Sequence, residues 1–163
     1  GRAYSYAMGQ CGGDHHEGES PEIQARWAMI NSLCMCSFVG GYPWTKETPT
    51  VLVNMLNPLC GWNMTPEEYW AAARRIITME RSFNVREGIS RKDDRLSKRF
   101  MTEALPAGPK KGAIFTAEDE KKMQEAYYKY YGWDENGIPT EETLKTLGLE
   151  YLVDDVQQAK KNL

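Results

Sequence analysis

Asp14-His15-His16 stands in a glycine-rich opening stretch, between Gly12-Gly13 and Gly18, with Cys11 just ahead. A histidine placed so can ligate a metal, act as a general acid or base, or donate a hydrogen bond to a substrate oxygen. An exposed loop whose histidines do nothing fits the same letters. Further along, Cys34-Met35-Cys36 puts two thiols one residue apart. A structural zinc site brings a C-x2-C pair and a second pair to match, and neither is present. On a continuous helix these two side chains would point about 200° apart. Two buried, inert thiols are therefore the plainer reading, free cysteine being among the most buried side chains. The four cysteines, at 11, 34, 36 and 60, show no disulfide spacing and read as reduced.

A third stretch, Glu80-Arg81-Ser82-Phe83-Asn84-Val85-Arg86-Glu87-Gly88 followed by Arg91, Asp93 and Asp94, is dense in both signs of charge. It could clamp an anion. With Phe83 among the charges the segment reads as partly buried, where unpaired charge is costly, so a web of ion pairs with an arginine for each carboxylate is expected. Tyr127, Tyr128, Tyr130 and Tyr131 lack the basic surround that base stacking needs. No Walker loop, dinucleotide fingerprint or nucleophile elbow occurs.

The elements that must position these residues are helical. Ser20 as cap and Pro21 at the first position open a helix whose stripe is Ile23, Trp27, Ile30 and Cys34, running to about Phe38 before Gly40-Gly41. Thr48-Pro49 restarts one through Val51, Leu52, Met55 and Leu56, with Pro58 and Gly61 as its end. Thr65-Pro66-Glu67-Glu68 is a capping box ahead of a face made of Tyr69, Ala73, Ile76, Ile77, Glu80 and Phe83, ending near Gly88. A short helix between Ser90 and Phe100, a loop over 106–112, a helix from Thr116 to Gly132 carrying Met123, Tyr127 and Tyr130, and two closing helices complete the chain. No run alternates strictly, so the fold class is all-α, multihelical, with six or seven helices.

At 163 residues, 41% hydrophobic and 26% charged, the composition is that of a globular domain. The net charge of −3 gives no reason to expect nucleic acid or a membrane surface as partner, and no apolar run is long enough to cross a bilayer. Reduced cysteines point to a cytoplasmic location, with anaerobic origin a further reading. Gly1-Arg2-Ala3 does not look like a natural start, so a piece of a longer polypeptide is expected.

Taken in order, several short words are shared with one family. Glu80-Arg81-x-Phe83-Asn84-x-Arg86-Glu87-Gly88, Arg91-x-Asp93-Asp94-x-Leu96, Tyr130-Tyr131-Gly132-Trp133-Asp134, Gly137-x-Pro139-Thr140, Leu147-Gly148-Leu149, Gly61-Trp62-Asn63-Met64-Thr65 and the opening Tyr6-Ala7 with Gly12-Gly13-Asp14-His15 resemble the C-terminal part of the aldehyde:ferredoxin oxidoreductase family. The resemblance implies tungsten, or molybdenum, held by two pterin dithiolenes beside one [4Fe–4S] cluster. It also implies oxidation of aldehydes to carboxylic acids and ferredoxin as electron acceptor. Residues 1–40 would be the end of the second, cofactor-facing helical domain and 41–163 the C-terminal helical domain, or the two one compact unit. The N-terminal part would be missing, leaving an inactive piece whose exposed apolar face invites a homodimer.

Site residues carry over in part. The family's Asp-x-x-Gly-Leu-Cys motif is matched by Asn31-Ser32-Leu33-Cys34-Met35-Cys36, which makes Cys36 a cluster ligand and Asn31 and Met35 pterin contacts. An asparagine offers one acceptor and one donor group where a carboxylate offers acceptors only. Cys34 adds bulk in the glycine slot. His15 matches the active-site histidine, with His16 as fallback. Alternatives are a tungsten subunit like that of the class II benzoyl-CoA reductases, a cofactor-free helical interaction module derived from the family, and a small zinc domain, for which the ligand spacing is poor.

Overall fold

A computed structural model describes residues 20–36 and 47–163. Among these, the chain forms α1 (Pro21–Ser32), α2 (Thr48–Cys60), α3 (Pro66–Arg86), α4 (Arg99–Thr102), α5 (Ala117–Tyr131), α6 (Glu141–Thr146), a 3-10 turn (Glu150–Leu152) and α7 (Val153–Lys160). The extended pairing among the described residues is a single isolated bridge, Trp133 with Pro139. The all-α expectation holds.

Capping chemistry sets the helix starts. The Ser20 hydroxyl accepts from the Ile23 N–H at 3.2 Å. Thr65 and Glu68 close a reciprocal box, Thr65 N–H to Glu68 Oε2 at 2.8 Å and Glu68 N–H to Thr65 Oγ1 at 3.2 Å, and Thr116 with Asp119 repeats it on α5. Gly61 and Gly132 end α2 and α5 in the left-handed region, which a glycine adopts without steric cost.

Helix α3, 21 residues and therefore about 31 Å long, is the spine. Its first turns, through Tyr69 and Ala73, join Trp27, Met29 and Ile30 of α1 and Leu52 and Val53 of α2. Its middle, at Ile77, meets Ala28, Tyr127, Tyr128, Tyr131 and Trp133. Its end, at Val85, packs with Ile138, Leu144, Leu147, Leu149 and Val156. Each fully buried large apolar side chain contributes roughly 1.5–3 kcal/mol, so one helix ties three apolar clusters into a continuous interior. Helix α1 belongs to two of them, through Ala28 and through Trp27 and Ile30.

Four expectations need correction. Helix α1 stops at Ser32, not near Phe38. Asn31 and Ser32 are weak in helix interiors, the Ser32 hydroxyl bonds back to Ala28 O at 2.7 Å, and Cys34 turns left-handed at φ +53°. Pro58 does not end α2; the helix continues through it to Cys60, since a proline near the last turn removes one N–H without stopping the chain. The segment after Ser90 is a series of turns, and its short helix begins only at Arg99. Phe83 is 55% exposed rather than part of the buried face, its ring covered by the Arg86 guanidinium at 4.9 Å.

Candidate functional site

Asn31, Met35 and Cys36 come together at the C-terminal end of α1. Asn31 and Cys36 are exposed and Met35 is half-buried, its side chain packed on the cluster shared by α1, α2 and α3. The helix is fixed from behind by α5. The Tyr127 hydroxyl donates to Gln24 Oε1 at 2.5 Å and the Tyr131 hydroxyl to Pro21 O at 2.7 Å, with Tyr127 and Gln24 fully enclosed. This is how the sequence aims the end of α1: two tyrosines on adjacent turns of one helix grip the first turn of another.

Cys34 and Cys36 are free thiols and both are exposed, against the reading of two buried, inert cysteines. Both lie past the end of α1, so helical spacing does not govern their directions. Cys34, in the slot where the related motif has glycine, is the non-glycine residue with positive φ among the described residues. A helix terminated by a left-handed residue explains why glycine suits that slot, and the cysteine here carries the steric penalty of its Cβ.

His15 and His16 lie outside the described residues. Among the described residues no three His, Cys, Asp or Glu side chains gather as a metal site. Among the described residues this edge therefore offers two open thiols, Cys34 and Cys36, with no third ligand gathered beside them. Two exposed thiols, one exposed amide and a half-buried thioether fit a cofactor whose other ligands come from beyond the described residues.

The charged stretch has a different role. Arg81 is 2% and Asp94 6% exposed. Arg81 Nη1 donates to Asp94 Oδ1 at 2.8 Å, Nη2 to Oδ2 at 2.6 Å and Nε to Gly137 O at 2.7 Å. The Tyr128 hydroxyl adds a bond to Asp94 Oδ2 at 2.6 Å, and Gln124 Nε2 donates to Asp94 O at 2.8 Å. Burial, and then the Asp94 charge, push the Tyr128 hydroxyl well above the ordinary tyrosine range. Arg81 also lies 5.3 Å from the Trp133 ring centroid. Gly137 has φ +73°, and a Cβ there would sit 2.5 Å from Arg81 Nη2, so the backbone passes too close for any side chain. The ion-pair expectation holds for Asp94 and for Glu87 with Arg86, but Asp93 instead accepts from the Ser90 N–H at 2.9 Å. Sequence reading did not single out Gln24, Gln124 or Glu120, all buried and hydrogen-bonded; isolated polar residues on a helix carry no signal of burial.

Four of the short words quoted from the sequence, those at 80–88, 91–96, 130–134 and 137–140, thus meet around the buried Arg81–Asp94 pair. The sequence profile of "Aldehyde ferredoxin oxidoreductase, domains 2 & 3" matches residues 1–149. The chain is 36% identical over 172 aligned residues, 98% of its length, to the aliphatic sulfonate oxidoreductase WOR-like subunit of Pyrococcus furiosus, of which it spans 26%. It is 43% identical over 98 residues, 60% of its length, to the tungsten-containing aldehyde ferredoxin oxidoreductase of Pyrococcus horikoshii, of which it spans 16%. A chain of the active site complex BamBC of benzoyl coenzyme A reductase, solved in complex with 1,5-dienoyl-CoA, superposes with a TM-score of 0.70 at 28% identity, over 88% of this chain and 20% of that one. The chain therefore spans between 16% and 26% of these longer proteins, and with its words, its helical fold and its profile in agreement, it belongs to the aldehyde ferredoxin oxidoreductase family as a portion of domains 2 and 3.

Proposed function

We propose that the chain is the C-terminal helical part of a tungsten–pterin, iron–sulfur oxidoreductase that oxidises aldehydes to carboxylic acids and passes the electrons to ferredoxin. The observation that carries this is the profile match over residues 1–149. The exposed end of α1, where Asn31, Met35 and Cys36 stand together, supports it. In this reading residues 1–40 face the cofactor and 41–163 form the C-terminal domain. When bound, the pterin-held metal supplies the two-electron redox chemistry and the cluster relays electrons. The residues of this chain would do the rest. Cys36 would give one thiolate to the cluster, whose remaining ligands come from outside the chain. Asn31 would meet the pterin edge with one acceptor and one donor group, and Met35 would pack against the ring system. His15, or His16, would polarise the substrate carbonyl or hold its proton.

A second reading is a class II benzoyl-CoA reductase-like tungsten subunit, favoured by the superposition over 88% of the chain. A cofactor-free helical module is the third. Elemental analysis of protein purified anaerobically from its host decides between cofactor and module. Tungsten with about four irons per site, as one cubane beside one metal requires, is expected; absence of both from intact protein leaves the module. Turnover of aldehydes against thioesters then separates the first two readings. Cys36→Ser in the complete enzyme should alter the electron paramagnetic resonance signal of the reduced cluster, and an unchanged signal would remove Cys36 as ligand.

A further inference from the structure

Helix α2 is apolar on both sides. Leu52 and Val53 are buried against α1 and α3. On the other side Val51, Met55 and Leu59, at i, i+4 and i+8, are 53%, 61% and 82% exposed, and Trp62, just past the Gly61 cap, is 53% exposed. A helix at a protein surface ordinarily turns charged residues outward. Here no charged residue occurs anywhere from Thr48 to Pro66, in a chain that is 26% charged. Charge depletion with aromatic and methionine enrichment marks the centre of protein interfaces, and an apolar patch of this kind on a surface calls for a cover. The loop after α2 is held stiffly: Asn57 Nδ2 donates to Met64 O and Met64 N–H to Asn57 Oδ1, both at 2.9 Å. Trp62 is thereby presented on a fixed support.

We propose that this outer face of α2 is the seat of the N-terminal region that the longer relatives possess and this chain lacks. Two observations choose that occupant. The chain spans 16% to 26% of those relatives, so most of such a protein lies outside it. Helix α2 also borders the candidate cofactor edge, because Leu33 and Met35 at the end of α1 pack in one cluster with Leu52, Val53 and Leu56 on its inner side. An edge whose two open thiols have no third ligand beside them among the described residues needs completing, and protein arriving there reaches α2 as it closes over Cys36. The proposal rests on the reading that the chain works within a longer enzyme.

Hydroxyl-radical footprinting of the complete protein from its host tests this on native side chains. Met55 and Trp62 should oxidise at least about tenfold more slowly in the folded protein than after unfolding in guanidinium, as for groups shielded by stable structure. Oxidation within about threefold of the unfolded rate, the behaviour of the exposed side chains described above, would overturn the proposal. Protection lost on dilution would also overturn it, assigning the face to a second copy. Metal content of the same sample keeps the two readings apart. Tungsten and iron with Met55 unprotected would sink the docking surface alone. Protection that survives dilution without metal would sustain the docking surface and sink the cofactor assignment.

Discussion

Replacing Asp94 by alanine removes the centre of the buried network on which four segments converge. Arg81 would keep its bond to Gly137 O but lose both bonds to the carboxylate, and the Tyr128 hydroxyl would lose its acceptor. Breaking a buried pair from one side costs about 3–5 kcal/mol because the remaining charge is left uncompensated. An orphaned hydroxyl costs roughly 1–3 kcal/mol, part of it already counted in the same desolvation. A loss of about 4 kcal/mol is therefore expected for Asp94→Ala, from pair and hydroxyl together. With a urea slope of about 2 kcal/mol per molar, the unfolding midpoint falls by about 2 M. The double variant Arg81→Met with Asp94→Leu leaves no unpaired charge at this node and should be more stable than Asp94→Ala alone, short of the parent because Gly137 O then lacks its donor. The assay is equilibrium urea unfolding followed by tryptophan fluorescence and by circular dichroism, with coincident transitions required. A loss under about 1 kcal/mol, the value typical of solvated pairs, would show that water reaches the pair and that the burial argument is wrong. A double variant weaker than the single would refute the desolvation reasoning itself.

Other outcomes follow from single geometric facts. Gly137→Ala places a Cβ 2.5 Å from Arg81 Nη2 and 2.8 Å from the Tyr128 ring at φ +73°; overpacking and backbone strain together should cost about 3 kcal/mol in the same urea assay. Cys34→Gly relieves the left-handed strain at φ +53° and should stabilise by about 0.5 kcal/mol, the relief being partly offset by the freer unfolded chain, whereas Cys34→Val should destabilise. Burial raises Tyr69 from 10.0 to about 12 and moves Tyr128 the same way. The folded state therefore holds these protons after the unfolded chain has lost them. Both contributions are intact below pH 10; that of Tyr69 declines between pH 10 and about 12, and that of Tyr128 goes on declining above that interval. Urea midpoints taken across that interval should fall, and should fall less steeply in Tyr128→Phe.

Much of the architecture was legible in the letters because its determinants are local. Ser20-Pro21, the box Thr65-x-x-Glu68 and the box Thr116-x-x-Asp119 satisfy helix donors within four residues of themselves, so no distant contact is needed to read them. Gly61 and Gly132 stop helices for an equally local reason, the left-handed residue that only glycine adopts freely. The end of α1 was misread because Leu33, Cys34 and Met35 continue an apolar pattern, while the turn is set by Asn31, Ser32 and a strained cysteine. Phe83 was misread because its spacing matched the buried face, and spacing does not reveal where the neighbouring elements run out.

The sequence by itself determined the helical class, the positions of the caps and the set of words that mark the family. Through the resemblance of residues 31–36 to a family motif it also nominated Asn31, Met35 and Cys36 as site residues. Tertiary structure alone decided that Arg81, Asp94, Gly137 and Tyr128, up to 56 residues apart, share one buried node, and that Gln24 anchors α1 across 103 residues to Tyr127. It also decided that Cys34 and Cys36 stand open and that, among the described residues, the outer side of α2 is uncovered. The reason is physical. Capping and turn formation exchange hydrogen bonds among adjacent residues, whereas desolvation of a charge or exposure of an apolar face depends on what the rest of the chain brings against it.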